Sequence, residues 1–309
     1  MRSAGSAGAG KPAPADRDRM ARRLFLAPAV LVVLLLSLFP LVFSLGLTFT
    51  NVNLFRRGVP LTFAGADNWV RLLGDDALWE TLGNTAIFVT GAVVLEYALG
   101  LGLALLLNRG VRGQRGWRLF FLLPMMMSPI AVGFIIGRMM FGEAFGPVND
   151  LLGRVGLAPV SWFGPPWMAR LTLILVDAWQ WTPFMMLLLL AGLQTIPHEP
   201  VEAARVDGAS SWQVFRYVIF PLLLPASITA ILLRAVEAFK VIDIIRVVTG
   251  GGPGRATESA MVYVYDLGAK QGDLAYASTA AYVLMIGVIA VATGLLLLTR
   301  RLTARYAEL

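Results

Sequence analysis

The sequence predicts an all-α integral membrane protein with six transmembrane helices and a cytoplasmic helix–turn–helix between the fourth and fifth. Three observations lead there. Hydrophobic residues make up 57% of the 309-residue chain and charged residues only 15%, with a mean hydropathy of +0.71; a soluble domain of this size is usually about a quarter charged. Six apolar segments recur along the chain, at 24–50, 82–107, 119–141, 171–193, 222–240 and 275–299, each near or above the roughly 20 residues that a helix needs to cross about 30 Å of hydrocarbon. Lysine and arginine are biased to alternate connections. With the N-terminus inside, 15 of them fall in the 72 positions of 1–23, 108–118, 194–221 and 300–309, against 8 in the 94 positions of 51–81, 142–170 and 241–274. That bias places both termini in the cytoplasm. It also explains the formal charge of +7 better than nucleic-acid binding does.

Taken in order, residues 1–23 are rich in Gly, Ala, Pro and Arg and read as a disordered cytoplasmic tail. The first apolar run is too long for the h-region of a secretory signal and no cleavage site follows it, so it is read as a retained span. One membrane domain then covers 24–305, and 306–309 form a short cytoplasmic tail. Helices are the expected spanning element because lipid offers no partner to unpaired backbone groups and nothing alternates like a barrel strand. Span three carries Gly133 and Gly137 in a G-x-x-x-G spacing, a close-packing signal. Arg234 and Glu237 interrupt span five.

The polar insert at 196–221 reads as two short helices. Pro197 and Pro200 suit the start of the first, and Glu199 and Glu202 lie in its early turns, where the helix dipole favours negative charge. Gly208 stands where a left-handed residue ends a helix. Ser210, with Gln213 three positions on, forms a capping-box pattern for the second helix. Pro221 and Pro225 are expected to separate it from span five.

This insert resembles the signature of permease subunits of binding-protein-dependent ABC importers, E-A-A-x-x-x-G followed nine residues later by I-x-L-P. Glu202, Ala203, Ala204, Gly208 and Pro221 match; Val218 and Phe220 stand at the Ile and Leu positions. The segment "TGGGP" at 249–253 and "WQWTPFMMLLLLAGLQTIP" at 179–197 are similar to the sugar-permease subgroup, which includes maltose and glycerol-phosphate permeases. The resemblance implies that 196–221 is a coupling loop docking on an ATPase, with Glu202, Ala203, Ala204, Asp207, Gly208 and Pro221 in or supporting the docking surface. It implies a second homologous permease, a cytoplasmic ABC ATPase dimer that binds ATP and Mg, an extracytoplasmic solute-binding protein, and a bacterial or archaeal cytoplasmic membrane. The expected cargo is a sugar, oligosaccharide or polyol, moved by alternating access.

Polar residues inside spans are costly and face cavities or one another. Glu96 lies in span two; Asp177, Trp179, Gln180, Trp181 and Thr182 cluster in span four; Arg234, Glu237, Lys240 and Asp243 recur along span five. The i, i+3 spacing allows Arg234–Glu237 and Lys240–Asp243 pairs. A sugar needs flat aromatic faces and bidentate polar groups, so Trp179, Gln180, Thr182, Glu237, Phe239, Lys240 and Asp243 are the candidate substrate-pathway residues. An Arg–Glu pair with a purely structural role competes with that reading.

Other chemistries lack their parts. There is no cysteine, and His198 is the only histidine, which removes thiolate and multi-histidine metal sites and cysteine nucleophiles. The glycines at 250–252 lack the G-K-[ST] of a phosphate loop, so no nucleotide site or enzymatic constellation is expected on this chain. An ion-coupled secondary transporter using Glu96, Asp177 or Glu237 is the alternative; its uptake would survive ATP depletion and collapse with an ionophore.

Overall fold

A computed structural model of the chain describes residues 14–56, 60–110 and 113–307. Five helices are long and apolar enough to cross a bilayer: Phe25–Leu47, Asp76–Asn108, Pro166–Gln194, Ser211–Ala238 and Leu274–Leu297. No extended strand occurs among the described residues; one antiparallel bridge, Thr50 to Phe63, pins the loop after the first helix.

Helix α1 (Pro14–Leu47) begins ten residues before the expected span, so 14–23, expected to be disordered, are helical. Residues 1–13 of that tail, and 308–309 of the C-terminal one, lie outside the described residues. From Phe25 to Leu45 its large apolar side chains are exposed, as a lipid-facing helix requires. A short helix α2 (Asp67–Leu73) precedes α3 (Asp76–Asn108), which Asp75 caps by accepting from the Leu78 amide at 3.2 Å.

The third apolar segment differs from expectation. A continuous span was predicted over 119–141; instead α4 (Gln114–Leu122) gives way to a 3₁₀ turn at Pro124–Met126, a short α5 (Pro129–Val132) and a π-helical stretch at Gly133–Met140. Proline removes a helical donor and clashes with the preceding turn, and the residue before it is pushed out of the helical region. Ser128, which precedes Pro129, is accordingly extended, at φ −62° and ψ 138°. Gly133 does serve close packing: a Cβ there would meet Val247 Cβ at 3.2 Å.

After α6 (Pro147–Arg154), α7 (Pro166–Gln194) runs through the centre of the bundle. It packs most extensively on α3, where Gly100 lets the helices approach so closely that a Cβ would lie 2.9 Å from Met185 Cβ. Val176, Met185, Met186 and Leu189 of α7 join Val89 and Ala92 of α3 and Leu223 and Ala230 of the following helix in one buried core. In lipid such a core is held by packing density more than by expulsion of water.

Helix α8 (His198–Val206) is followed by α9 (Ser211–Val214), a π-helical stretch at Phe215–Ile219 and α10 (Phe220–Ala238). The expected boundary at Pro221 and Pro225 is absent: Ser211–Ala238 is one 28-residue rod. Pro221 sits at the start of α10, and the Phe220 amide immediately before it reaches back to the Phe215 carbonyl. The wider π turn thus carries the helix into the proline.

Beyond α10 come α11 (Asp243–Val248), α12 (Ala260–Tyr265) and α13 (Leu274–Ala307). The turn between α11 and α12 is non-helical as expected, with Gly250 and Gly251 at φ +67° and +98°, a region that glycine enters at little cost. Asn84 of α3 donates to the Arg255 carbonyl and Arg170 of α7 to the Ala256 carbonyl, each at 2.8 Å. Arg170 Nη2 also donates to Asn84 Oδ1 at 2.9 Å, so two spans hold this turn through one polar link.

Candidate functional site

Two sites stand at opposite ends of the Ser211–Ala238 rod. At its start, the α8–α9 hairpin takes the shape its sequence dictates. Asp207 closes α8, Gly208 follows at φ +83°, and the amides of Gly208 and Ala209 return to the carbonyls of Arg205 and Ala204 at 3.1 and 3.0 Å, a Schellman closure. The capping box forms in both directions: Ser210 Oγ accepts from the Gln213 amide at 3.4 Å and Gln213 Oε1 from the Ser210 amide at 2.7 Å. The hairpin is fixed by its own residues, which frees its outer surface. Glu202, Ala203, Asp207 and Gly208 are exposed, Ala204 and Pro221 half-buried. Val206, Trp212 and Tyr217 are 87%, 69% and 73% exposed, unusual values for such side chains. Between the helices lies a hollow of about 330 Å³ lined by Ala204, Asp207, Gly208, Gln213, Val214 and Tyr217, among others.

At the far end of the rod three charged side chains meet inside the bundle. Arg234 of α10 is 1% exposed, Glu96 of α3 0% and Asp177 of α7 2%. Arg234 Nη2 donates to Glu96 Oε1 at 2.9 Å, and its Nε lies 2.7 Å from Oε2 as an ion-pair contact without hydrogen-bond alignment, while Asp177 contacts Nη2 alone. The Arg234 guanidinium carbon also lies 5.1 Å from the centroid of the Trp181 ring, within cation–π range. Such ions are tolerated out of water only when paired and hydrogen-bonded.

Asp177 and Arg234 of this cluster form one wall of a cleft of about 240 Å³, completed by Trp181, Glu237, Lys240, Asp243 and the backbone-breaking Pro129. Three of the seven predicted pathway residues, Glu237, Lys240 and Asp243, line it. Four do not. Trp179 is 40% exposed on another face of α7. Gln180 is buried and donates to the Met127 carbonyl at 3.0 Å, satisfying a backbone acceptor that the broken third segment frees at membrane depth. Thr182 is buried outside the cleft and Phe239 packs on the core. The anticipated pairs are also different: Arg234 is taken by Glu96 and Asp177, and Lys240 bonds Glu237 at 2.8 Å rather than Asp243. Trp181 and Asp177 take the places expected of Trp179 and Gln180. The helical period carries the signal, because 177 and 181, four apart, share one face of α7 and 179 cannot.

A second polar cluster sits at the N-terminal end of α3. Asp75 Oδ2 accepts from the hydroxyls of Tyr263, at 2.6 Å, and Tyr276. Arg71 lies 3.8 Å over the Tyr276 ring and pairs with Asp273 at 3.1 Å. Burial raises the Asp75 carboxyl, but the two phenols and the amides of Leu78 and Ala77 together outweigh it and hold the group below the usual carboxylate range.

Residues 96–306 match the family described as "Binding-protein-dependent transport system inner membrane component". The chain is 35% identical over 267 residues to the sulfoquinovosyl glycerol transport system permease protein SmoG of Agrobacterium fabrum, covering 86% of each chain. It is 37% identical over 243 residues to the trehalose/maltose transport system permease protein MalF of Thermococcus litoralis, covering 79% of this chain and 81% of that one. Among solved structures, a chain of a bacterial ABC transporter importing the acidic polysaccharide alginate superposes with a TM-score of 0.76 at 21% identity, over 93% of this chain and 96% of that one. Together with the capped hairpin, these likenesses place the chain among the inner-membrane components of binding-protein-dependent transport systems, as a multi-pass permease subunit of an ABC importer.

Proposed function

We propose that this permease moves a sugar, oligosaccharide or polyol inward by alternating access, with the α8–α9 hairpin docked on a cytoplasmic ABC ATPase dimer that binds ATP and Mg. The chain provides half of the pore; a second homologous permease supplies the other, and a solute-binding protein delivers cargo at the outer face. Both termini lie in the cytoplasm, and the broken 114–140 segment serves as the sixth crossing. The relatives named for sulfoquinovosyl glycerol and for trehalose/maltose support a carbohydrate cargo.

One observation carries the reading: the hairpin is closed by its own caps yet leaves Val206, Trp212 and Tyr217 uncovered around a hollow. Such a surface suits a partner that Glu202, Ala203, Ala204, Asp207 and Gly208 meet edge-on. Closure of the ATPase dimer on ATP moves the paired hairpins together and opens the permease outward; hydrolysis and release return it. The cleft beside Trp181 offers an aromatic face together with Glu237, Lys240 and Asp243, the groups that sugar hydroxyls need. Ion coupling is not favoured, since Glu96 and Asp177 are held by Arg234 and Glu237 by Lys240.

Gly208→Asp tests the docking role. A Cβ at 208 meets nothing within 4 Å in this chain, and the strain at its φ of +83° falls on the α8–α9 closure rather than on the membrane core, so the subunit should insert at normal abundance while ATP-driven uptake is abolished. Normal uptake at normal abundance removes the hairpin from the mechanism.

A further inference from the structure

We propose that Arg234 is a positioning residue for transport: a two-armed latch whose Glu96 arm is permanent and whose Asp177 arm opens as the cleft changes state. The inference rests on the permease reading above and adds to it the link between hairpin and cleft. Three observations on independent elements carry it.

The first is mechanical continuity. Arg234 lies on the same unbroken rod that starts at Ser211 in the hairpin, about 35 Å away at 1.5 Å per residue. A displacement of the hairpin therefore reaches Arg234 without crossing a loop. The second is the asymmetry of the two arms. Glu96 lies at ion-pair distance from two guanidinium nitrogens, Nε and Nη2, whereas Asp177 meets Nη2 alone; each acid accepts one hydrogen bond, and Glu96 has a second charged nitrogen beside it. The third is access. Asp177 and Arg234 line the cleft together with Trp181, while Glu96 does not reach it. The arm with a single nitrogen contact is thus the one beside the space where cargo and water enter, and water or a sugar hydroxyl there can replace the guanidinium as the hydrogen-bonding partner of Asp177.

Charge arithmetic selects the variants. Asp177→Asn leaves one guanidinium facing one carboxylate, a balanced pair, so the bundle keeps its frame. Glu96→Gln leaves the same one-to-one charge balance but removes the acid that meets two guanidinium nitrogens. Arg234→Lys keeps the charge but cannot span both acids.

The test uses the complete transporter, both permeases with the ATPase dimer, reconstituted in nanodiscs and proteoliposomes, with and without its sugar-loaded binding protein. ATP hydrolysis without binding protein should rise about fivefold or more in Asp177→Asn, while uptake per ATP falls by a similar factor. Arg234→Lys should show the same uncoupling, and Asp177→Glu should restore coupling. Glu96→Gln should instead lower the thermal midpoint with no gain in hydrolysis per assembled complex. The latch is overturned if Asp177→Asn and Arg234→Lys assemble and keep the wild-type ratio of uptake to ATP. It is also overturned if both fail to assemble, which makes the cluster a static clamp. Failure of the permease reading is separate: wild-type complex would then show no ATP-driven uptake with binding protein present.

Discussion

The hairpin and the Arg234 cluster terminate the same rod and are built in opposite ways. The hairpin is held by contacts between residues at most five apart, Ala209 to Ala204 and Ser210 to Gln213, and its outward face is bare. The cluster is held by contacts spanning 138 and 57 positions, and its members are almost wholly buried, with Asp177 and Arg234 bordering the cleft. The contrast teaches which parts of a transducer tolerate change. A locally closed element can present a free surface to a partner and move as a unit. A buried ionic junction tolerates poorly the loss of its one cation, yet it sets the relative positions of three spans. Joined by a continuous helix, the two make a lever with a compliant end and a stiff one.

The sharpest way to break the contrast is to unbalance the stiff end. Arg234→Met strands Glu96 and Asp177, and removing one member of a buried ionic group costs about 3–5 kcal/mol. Folded abundance in the membrane should collapse, as fluorescence-detected gel filtration would show. The neutral triple variant Glu96→Gln, Asp177→Asn, Arg234→Met should regain most of it, because similarly sized uncharged groups avoid the cost of burying an unpaired charge and the two amides can bond one another. Equal instability of the triple variant would show that shape, not charge balance, sets the requirement.

The compliant end should respond far less. Ser210→Ala removes the cap of α9, a loss of about 1 kcal/mol, confined to the hairpin. Hydrogen exchange of the amides at 211–213 should quicken by roughly five- to tenfold, the factor that energy implies, while the thermal midpoint of the membrane bundle stays unchanged. A shift of the whole midpoint would mean that the hairpin and bundle unfold as one unit.

The same contrast explains what could be read along the chain. The hairpin was legible down to its capping box because every contact lies within a few residues, and Gly208 and Ser210 state their backbone roles by type. The long apolar runs gave five spans for the same reason. The third failed as a helix because Pro124 and Pro129 stand five apart inside it, and local hydropathy does not register a missing donor. Gln180 was read as a sugar ligand when it serves the carbonyl of Met127, released by that very break. The partner of Arg234 was misassigned to Glu237, its neighbour at i+3, because Glu96 is brought near only by the packing of α3 at Gly100. Of the cleft, the residues of one helix end, Glu237, Lys240 and Asp243, were legible; its back wall, which joins α7 and α10, depends on tertiary placement that spacing along one helix cannot report.

Asp75 offers an intermediate case and the finest test of the comparison. Like Arg234 it joins distant elements, meeting Tyr263 and Tyr276 from 188 and 201 positions away; like the hairpin it is reached by water. It should therefore titrate. Its carboxyl is held below its ordinary range in the fold, so the unfolded chain binds the proton first. The stabilisation it gives is present above the unfolded value and is lost as pH falls through the lowered folded one. The thermal midpoint of the wild-type subunit in detergent should accordingly decline over that acidic window, and Asp75→Asn, whose amide does not titrate, should start lower at neutral pH and decline less. Were the two slopes the same, the phenol contacts would contribute nothing that depends on charge, and the Asp75 cluster would belong with the static frame of the bundle.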